Sequence, residues 1–157
     1  MANAPIIDIS TVDLTVDASG EYPIDALLPQ TGDMRMLDRV CWMGPDGLSS
    51  VGYKDVRSDE FWCAGHIPGR PLFPGVMMIE AAAQLCSYTH KRTRKPTGFL
   101  GFIRCDEVSF RGQVVPGDRF VIAAKELSFN ARLFKSLAQG FVHNKMVFEG
   151  LITGMVI

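Results

Sequence analysis

The distribution of apolar residues points to one long helix near the middle of the chain. Residues 76–88 are rich in alanine, contain no proline or glycine, and carry only Glu80 and Gln84 as strongly polar side chains. Strong helix formers without breakers predict a helix, and an apolar surface on nearly all sides predicts that this helix is buried. The cations of residues 91–95, followed by Pro96, predict its end, because positive charge is favourable near a helix C-terminus.

Runs of alternating or β-branched residues predict strands before and after that helix. Residues 36–43 and 48–56 flank a Gly-Pro-Asp-Gly turn and together predict a hairpin, whereas residues 23–28 predict one short helical turn. Further runs separated by turn residues predict strands at residues 98–110, 119–129, 133–142 and 146–157. About six strands and one buried helix predict an α+β domain in which an antiparallel sheet curls around the helix.

The beginning of the chain differs from the rest. Residues 1–20 alternate only weakly between apolar and polar positions, which predicts a loose strand or a mobile arm, and we assign this N-terminal extension no chemistry. Residues 21–157 are predicted to form a single domain, since a chain of 157 residues with 47% apolar and 21% charged residues has ordinary domain size and composition.

Charge and composition argue against several classes of protein. The net charge of −1 disfavours nucleic-acid binding through a large basic surface, and no apolar stretch reaches the ~18 residues that a membrane span requires. The N-terminal extension lacks Lys and Arg, unlike secretory signals or transit peptides, so we expect a cytoplasmic protein. The four cysteines form no Cys-x-x-Cys pair and are expected to be reduced thiols rather than disulfides or zinc ligands.

Glu80 and Gln84 are candidate chemical residues because they interrupt the apolar character of the helix. Residues four apart lie on one stripe of a helix, so the Gln84 amide is able to hold a carboxyl oxygen of Glu80. A carboxyl group buried among apolar side chains favours its protonated form, which suits a general acid. Alternatively, Glu80 faces a polar seam or pairs with an arginine across an interface.

The segment before the helix supplies further candidate groups. Three prolines make residues 66–75 a stiff, extended loop, with His66 at its start as a potential base. Gly75 opens the helix, so its N–H has no intrahelical partner, and the missing side chain lets a substrate carbonyl approach. A base and an acid are the minimum for removing a proton and losing water. No His-Glu-x-x-His pattern or carboxylate cluster predicts a metal site.

A longer motif then becomes recognisable. Residues 65–84 read Gly-His-Ile-Pro-Gly-Arg-Pro-Leu-Phe-Pro-Gly-Val-Met-Met-Ile-Glu-Ala-Ala-Ala-Gln and resemble the signature of the FabZ-type 3-hydroxyacyl-acyl carrier protein dehydratases. The resemblance covers most of residues 24–157 and implies the hot-dog fold, a curled antiparallel sheet wrapped around one long central helix. It also implies dehydration of (R)-3-hydroxyacyl thioesters on acyl carrier protein to trans-2-enoyl thioesters in fatty-acid biosynthesis, without a cofactor.

The resemblance implies roles for individual residues. Four of them would serve the reaction: His66 as the base, Glu80 as the acid, Gly75 as the carbonyl-binding amide and Gln84 as the residue that orients the acid. The acyl chain would run in a tunnel beside the helix, with three candidate wall residues: Phe73, Met77 and Met78. Members of the family form homodimers, often assembled as trimers of dimers, in which each site combines the histidine of one subunit with the glutamate of the other.

The resemblance also implies an acyl carrier protein as partner. Residues 90–95 are basic and would attract its acidic surface, or else they simply keep the helix end in water. The chain departs from the family pattern at Ile67, where Phe is usual, at Gln30 and Thr31, where His-Arg is usual, and at Glu107, where a basic residue is common. These departures concern pocket walls and carrier docking more than the reaction.

Other chemistries stay open at this point. A hot-dog thioesterase would use a carboxylate and water to release free acid and thiol, whereas a non-catalytic acyl-thioester sensor would keep the tunnel without pairing a base with an acid. Cys63 lies three residues before His66, but no third group is evident that would orient a thiol nucleophile. His90 and His143 are expected to lie in exposed segments.

Overall fold

A six-stranded antiparallel sheet and one long helix make up most of the structure, a computed structural model that describes residues 3–157. The strands are β1 (Arg39–Met43), β2 (Ser49–Asp55), β3 (Leu100–Phe110), β4 (Arg119–Phe129), β5 (Leu133–Val142) and β6 (Lys145–Val156). The helices are α1 (Ile24–Leu27), a single turn, and α2 (Gly75–Arg94), and two short 3₁₀ turns span Ile9–Thr11 and Gly32–Met34. Over the described range, no helix combines the length and the apolar character needed to cross a membrane.

The strands are ordered β1-β2-β4-β5-β6-β3 in the sheet, and every neighbouring pair is antiparallel. Helix α2 connects β2 to β3 and so carries the chain to the opposite edge of the sheet, where β3 pairs with β6. The helix contacts β2, β3, β4, β5 and β6, because the sheet curls around it. This architecture confirms the predicted α+β hot-dog fold, including the hairpin of β1 and β2 and the four later strands.

Helix α2 supplies the centre of the core. Leu85 and the neighbouring alanines are buried in one apolar cluster with inward-facing strand residues such as Ile122 and Phe148. The helix ends where Lys95 adopts a left-handed conformation, with φ of 50°, directly before Pro96. The predicted helix and its predicted end are therefore confirmed.

The first turns of α2 are less buried than the sequence predicted. Val76 is 68% exposed, and Ile79 and Glu80 are half-buried. Ile79 and Glu80 follow Val76 by three and four positions and therefore share one side of the helix with it, which we name the open stripe (Val76, Ile79 and Glu80). The concave face of the sheet covers the opposite side of the helix and leaves this stripe only partly covered.

The N-terminal extension packs on the outer face of the sheet. Its apolar side chains, including Ile9, join a second cluster with outward-facing residues such as Val121. Gln139 fastens the chain there, since its Oε1 accepts from the Ile6 N–H (2.8 Å) and its Nε2 donates to the Ala4 carbonyl (3.1 Å). Residues 3–20 thus contain no strand and are anchored to the sheet, which corrects the prediction of a loose strand or mobile arm; residues 1–2 lie outside the described range.

The far end of α2 contains a buried polar cluster, and the expected exposure of His90 is wrong. His90 Nδ1 lies 2.6 Å from Glu126 Oε2, and its ring stacks on Phe134 with centroids 4.6 Å apart. Arg94 donates to the other carboxylate oxygen at 3.0 and 3.1 Å. Burial raises the pKa of Glu126, but the hydrogen bonds from His90 and Arg94 together hold that pKa below its ordinary value.

The remaining cations of residues 90–95 also serve contacts within the chain. Lys91 Nζ donates to the Leu27 carbonyl at 2.9 Å, and Arg92 Nη1 donates to the Ala18 carbonyl at 2.6 Å. The run of positive charge therefore ties α2 to α1 and to the N-terminal extension, in addition to favouring the helix end.

Candidate active site

His66 is held in one orientation by its own loop. Its backbone N–H donates to the Trp62 carbonyl (2.8 Å), and its ring Nδ1 lies 2.8 Å from the Leu72 carbonyl oxygen. A carbonyl only accepts hydrogen bonds, so Nδ1 carries a proton and, in the neutral ring, the free lone pair is on Nε2. The half-buried imidazole is therefore prepared to act as a base through Nε2.

The loop between His66 and α2 is closed by short backbone contacts. The Arg70 N–H donates to the Ile67 carbonyl (3.0 Å), and the Phe73 N–H donates to the Val114 carbonyl (2.8 Å). Ile67 has φ of 59°, a left-handed conformation that costs a β-branched residue about 1–2 kcal/mol. The backbone beside the candidate base is thus held in a strained conformation by its surroundings.

A cavity of about 430 Å³ lies between this loop, the start of α2 and the segment after β3. His66 borders it, and its mainly apolar wall includes two of the expected wall residues, Phe73 and Met78. Met77, the third, is half-buried against the core and does not border the cavity. An apolar cavity beside a base suits the acyl part of a thioester.

Gly75 is the first residue of α2 and borders the same cavity. Its N–H has no hydrogen-bond acceptor within residues 3–157, as is usual in the first turn of a helix. A Cβ at this position would lie 2.9 Å from Phe110 Cζ, so the Phe110 ring uses the space that glycine leaves. The absence of a side chain at Gly75 therefore serves both the packing of Phe110 and access to the free N–H.

Gln84 is almost fully buried and uses both ends of its amide. Its Oε1 accepts from the Met36 N–H (2.9 Å), while its Nε2 donates to the Met34 carbonyl (2.7 Å) and to Glu80 Oε1 (2.8 Å). The two backbone contacts fix which end of the amide faces Glu80, because a carbonyl cannot donate. Since Oε1 of Glu80 is engaged as an acceptor, a proton on this carboxyl group resides on Oε2.

The candidate acid and the candidate base do not border a common cavity within one chain. His66 and Gly75 line the cavity at the start of α2, whereas Glu80 lies on the open stripe and is not part of the cavity wall. The structure therefore pairs Gln84 with Glu80 and places His66 and Gly75 on one cavity, which Val76 of the open stripe also borders, but Glu80 is not part of that cavity wall in the single chain.

Trp62 and Phe110 contact the site although the sequence analysis singled out neither. The Trp62 carbonyl holds the His66 N–H, and its ring packs on Phe73 with centroids 5.6 Å apart. The one sequence signal for Trp62 was its position four residues before the histidine. Phe110 closes a predicted strand, and nothing in the pattern indicated that its ring would reach Gly75.

The remaining candidates do not add chemistry to the site. The Cys63 thiol is half-buried and donates to the Arg57 carbonyl (3.4 Å), so its proton is directed to a backbone oxygen. All four cysteines are free, and burial raises the pKa of Cys86 to about 12. Across the part of the chain that the structure describes, no three His, Cys, Asp or Glu side chains converge to hold a metal ion.

Comparison of the sequence with known proteins assigns the chain to a family. The FabA-like domain family matches residues 28–150. The chain is similar to the 3-hydroxyacyl-[acyl-carrier-protein] dehydratase FabZ of Lawsonia intracellularis, with 34% identity over 131 residues that cover 81% of this chain and 85% of the relative. FabZ of Brucella ovis is 32% identical over 144 residues, which cover 90% of each chain.

Two solved structures share the fold. The dehydratase heterocomplex ApeI:P from Xenorhabdus doucetiae matches with a TM-score of 0.72 and 16% identity, covering 86% of this chain and 91% of that chain. A hypothetical thioesterase with coenzyme A from Streptococcus pneumoniae matches with a TM-score of 0.58 and 9% identity, covering 76% of this chain and 84% of that chain. At such identities these likenesses concern the fold alone.

The fold defines a hot-dog protein, in which an apolar cavity lies beside His66 and Gly75, and the family match is more specific: the chain belongs to the FabA-like family. Within that family it is a dehydratase of the FabZ type, an enzyme of the hydro-lyase class, as its motif implied.

Proposed function

We propose that the protein converts (R)-3-hydroxyacyl thioesters on acyl carrier protein to trans-2-enoyl thioesters in fatty-acid biosynthesis. The observation that carries this proposal is the contact of His66 Nδ1 with the Leu72 carbonyl, which in the neutral ring directs the lone pair to Nε2, in a histidine that borders an apolar cavity. The reaction class is supported by the family, since its FabZ relatives are named 3-hydroxyacyl-[acyl-carrier-protein] dehydratases.

In the proposed mechanism, Nε2 of His66 removes the proton from C2 of the thioester. The Gly75 N–H stabilises the negative charge that develops on the carbonyl oxygen, as a preorganised donor does in an oxyanion hole. Oε2 of Glu80 gives its proton to the 3-hydroxyl group, the C3–O bond breaks, and water leaves as the double bond between C2 and C3 forms. The imidazolium and the carboxylate then return to their starting forms by exchanging a proton through solvent.

The proposed active unit is a homodimer, with trimers of dimers as the larger assembly. Its support is the apolar surface that a single chain leaves partly uncovered: the open stripe around Glu80, and the edge strand β3, where Phe102 and Ile103 are exposed. A strand edge and a helix face of this kind are surfaces that a symmetric partner buries. In such a dimer, Glu80 of one chain meets the cavity and His66 of the other.

The proposed partner is an acyl carrier protein, which brings the thioester to the cavity. Residues 90–95 lie at the opposite end of α2 and are already engaged, so they are poorly suited to docking. Arg70 is exposed and closer to the cavity: its Nη2 donates to Gln113 Oε1 (3.2 Å), and Gln113 borders the cavity. We therefore propose Arg70 as a docking cation, with the enzyme and its carrier protein meeting in the cytoplasm.

The test is incubation of the purified protein with (R)-3-hydroxyacyl-acyl carrier proteins of several chain lengths. Enoyl absorbance and free thiol are followed in parallel, and His66→Asn is the inactive control. We expect reversible formation of the enoyl thioester without release of thiol. Release of thiol without an enoyl product would favour a thioesterase, and binding without either product would favour an acyl-thioester sensor.

A further inference from the structure

We infer that Lys54 and Glu60 form a buried ion pair that positions His66 through Trp62. Neither charged residue borders the cavity, so the pair acts through the loop and does not touch the substrate. The inference rests on the proposed function of His66 as the base. It assigns a role to two buried charges that the reaction itself does not use.

Lys54 lies on the face of β2 that points toward α2. Ser50, four residues earlier on the same face, is hydrogen-bonded to Thr89 of the helix at 2.6 Å. Lys54 is only 2% exposed, and an ammonium group at such a position requires a charged partner. That partner is Glu60, whose Oε1 is 3.0 Å from Lys54 Nζ and whose side chain is 5% exposed.

Both oxygens of the Glu60 carboxylate organise the segment that precedes His66. Oε1 also accepts from the Arg57 N–H (2.9 Å), and Oε2 accepts from the Trp62 indole N–H (3.2 Å). Hydrogen bonds to a charged acceptor are stronger than those to a neutral one. The Glu60 carboxylate therefore holds the turn between Arg57 and Glu60 together and fixes the position of the Trp62 indole. Lys54 in turn holds the carboxylate to the sheet.

Trp62 contacts both ends of the His66 loop. Its carbonyl accepts from the N–H groups of Gly65 (3.2 Å) and His66 (2.8 Å). Its ring packs on Phe73, which directly follows Leu72, the residue whose carbonyl fixes the tautomer of the imidazole. The backbone position of His66 therefore depends on the Trp62 carbonyl, and the orientation of its ring depends on the packing of the Trp62 indole against Phe73.

The loop needs this anchor because its own conformation is strained. Ile67 is left-handed, with φ of 59°, and would relax toward an ordinary conformation if the loop were released. Relaxation next to His66 would move Nδ1 away from the Leu72 carbonyl and Nε2 away from the substrate. Displacement of a catalytic group by about 1 Å is able to cost about 100-fold in rate.

A double variant separates positioning from folding. Lys54→Met/Glu60→Leu replaces both charges by apolar groups of similar size, an exchange that buried ion pairs often tolerate. The indole N–H of Trp62 then loses its acceptor. The Arg57 N–H also loses its acceptor, so we expect a lower Tm but still one cooperative unfolding transition. We expect kcat to fall about tenfold to hundredfold, while KM changes by less than about twofold. In Lys54→Met/Glu60→Gln the amide oxygen again accepts from the indole, so we expect kcat to recover in part.

A matched control removes a different buried pair. His90→Phe/Glu126→Leu takes away the pair at the opposite end of α2, where no residue of the proposed site lies. We expect this variant to keep the kcat of the wild type as long as it is folded at the assay temperature, even if its Tm is lower. A second route to the same test is Trp62→Phe, which removes only the indole N–H and leaves the ion pair intact. We expect it to lower kcat in the same direction.

The decisive readout is the tautomer of His66, followed by NMR with isotope-labelled histidine and without substrate. In the wild type we expect a slowly exchanging Nδ1–H, and in Lys54→Met/Glu60→Leu or Trp62→Phe we expect its loss together with a shifted acidic limb of the pH profile of kcat/KM. Folded variants with the wild-type kcat and Nδ1–H signal would overturn the inference. If the variants lose the Nδ1–H signal that the wild type shows, but the wild type forms no enoyl thioester, the inference stands and the proposed function is overturned.

Discussion

Replacing Gln84 with leucine separates the orientation of the acid from the stability of the fold. Leucine has a similar volume, so the loss is in the three hydrogen bonds of the amide, to Met36, Met34 and Glu80. The Met36 N–H is then buried without a partner, which costs about 1–3 kcal/mol. The Met34 carbonyl and the Glu80 carboxyl group are only partly buried and can bond to water, so we expect a total loss of about 2–3 kcal/mol.

Gln139 offers a matched control on the outer face of the sheet. It has the same set of partners as Gln84, namely a backbone N–H at Ile6 (2.8 Å), a backbone carbonyl at Ala4 (3.1 Å) and a carboxylate oxygen of Glu149 (2.8 Å). Gln139→Leu therefore removes the same kinds of bond from residues that do not border the cavity. We expect a loss of stability of the same order and an unchanged kcat.

Denaturant unfolding measures the stability of the two variants, and steady-state kinetics on the hydroxyacyl thioester measures kcat and KM. We expect Gln84→Leu to lower kcat about tenfold to hundredfold with little change in KM, because the carboxyl group of Glu80 loses the bond that directs its proton-bearing oxygen. The reasoning is refuted if Gln84→Leu keeps the wild-type kcat, or if Gln139→Leu loses as much kcat as Gln84→Leu.

Three further changes test other parts of the structure. Gly75→Ala places a Cβ 2.9 Å from Phe110 Cζ and forces the ring to move, so we expect kcat/KM to fall at least about tenfold at nearly constant Tm; an unchanged kcat/KM would contradict this. His143 has φ of 49° in the turn between β5 and β6, so His143→Asn should stabilise by about 0.5–1 kcal/mol and raise Tm by about 1–4 °C in calorimetry, and a lower Tm would count against it. Burial raises the pKa of Glu149, but hydrogen bonds from Gln139 and two further side chains together hold it below its ordinary value. The contribution of Glu149 to the free energy of unfolding is therefore complete above the unfolded-state pKa and is lost as pH falls through the folded-state pKa. In denaturant titrations, Glu149→Gln should lose less stability than the wild type as pH falls below about 5. A decline as steep as that of the wild type would contradict this.

The regular elements were predictable because their signals are local. Helix α2 runs between Pro74 and Pro96, and its apolar residues need no knowledge of the rest of the chain. The N-terminal extension was predicted wrongly because its partner surface exists only after β2, β4 and β5 have paired. Ile9 shares an apolar cluster with Val121, more than a hundred residues away, and no local pattern indicates such an arrangement.

Within the candidate site, local contacts were predictable from the sequence and long-range contacts were not. Helical spacing was sufficient to bring Gln84 to Glu80, but the partners that orient the amide lie 48 and 50 residues away, at Met36 and Met34. His90 was expected in solvent because a run of cations follows it. Its partner Glu126 comes from β4, so the burial of His90 became visible only when sheet and helix were assembled.

The central claim is that His66 of one chain and Glu80 of another complete each dehydratase site. His66→Asn and Glu80→Gln proteins, each inactive alone, are mixed under conditions that allow subunit exchange, and formation of the enoyl thioester is followed. Random pairing makes about half of the dimers mixed, and each mixed dimer has one site with both native residues, so activity should return to about a quarter of the wild-type level. No recovery, with exchange confirmed independently by mass spectrometry of the mixed dimer, would contradict a site shared between two chains.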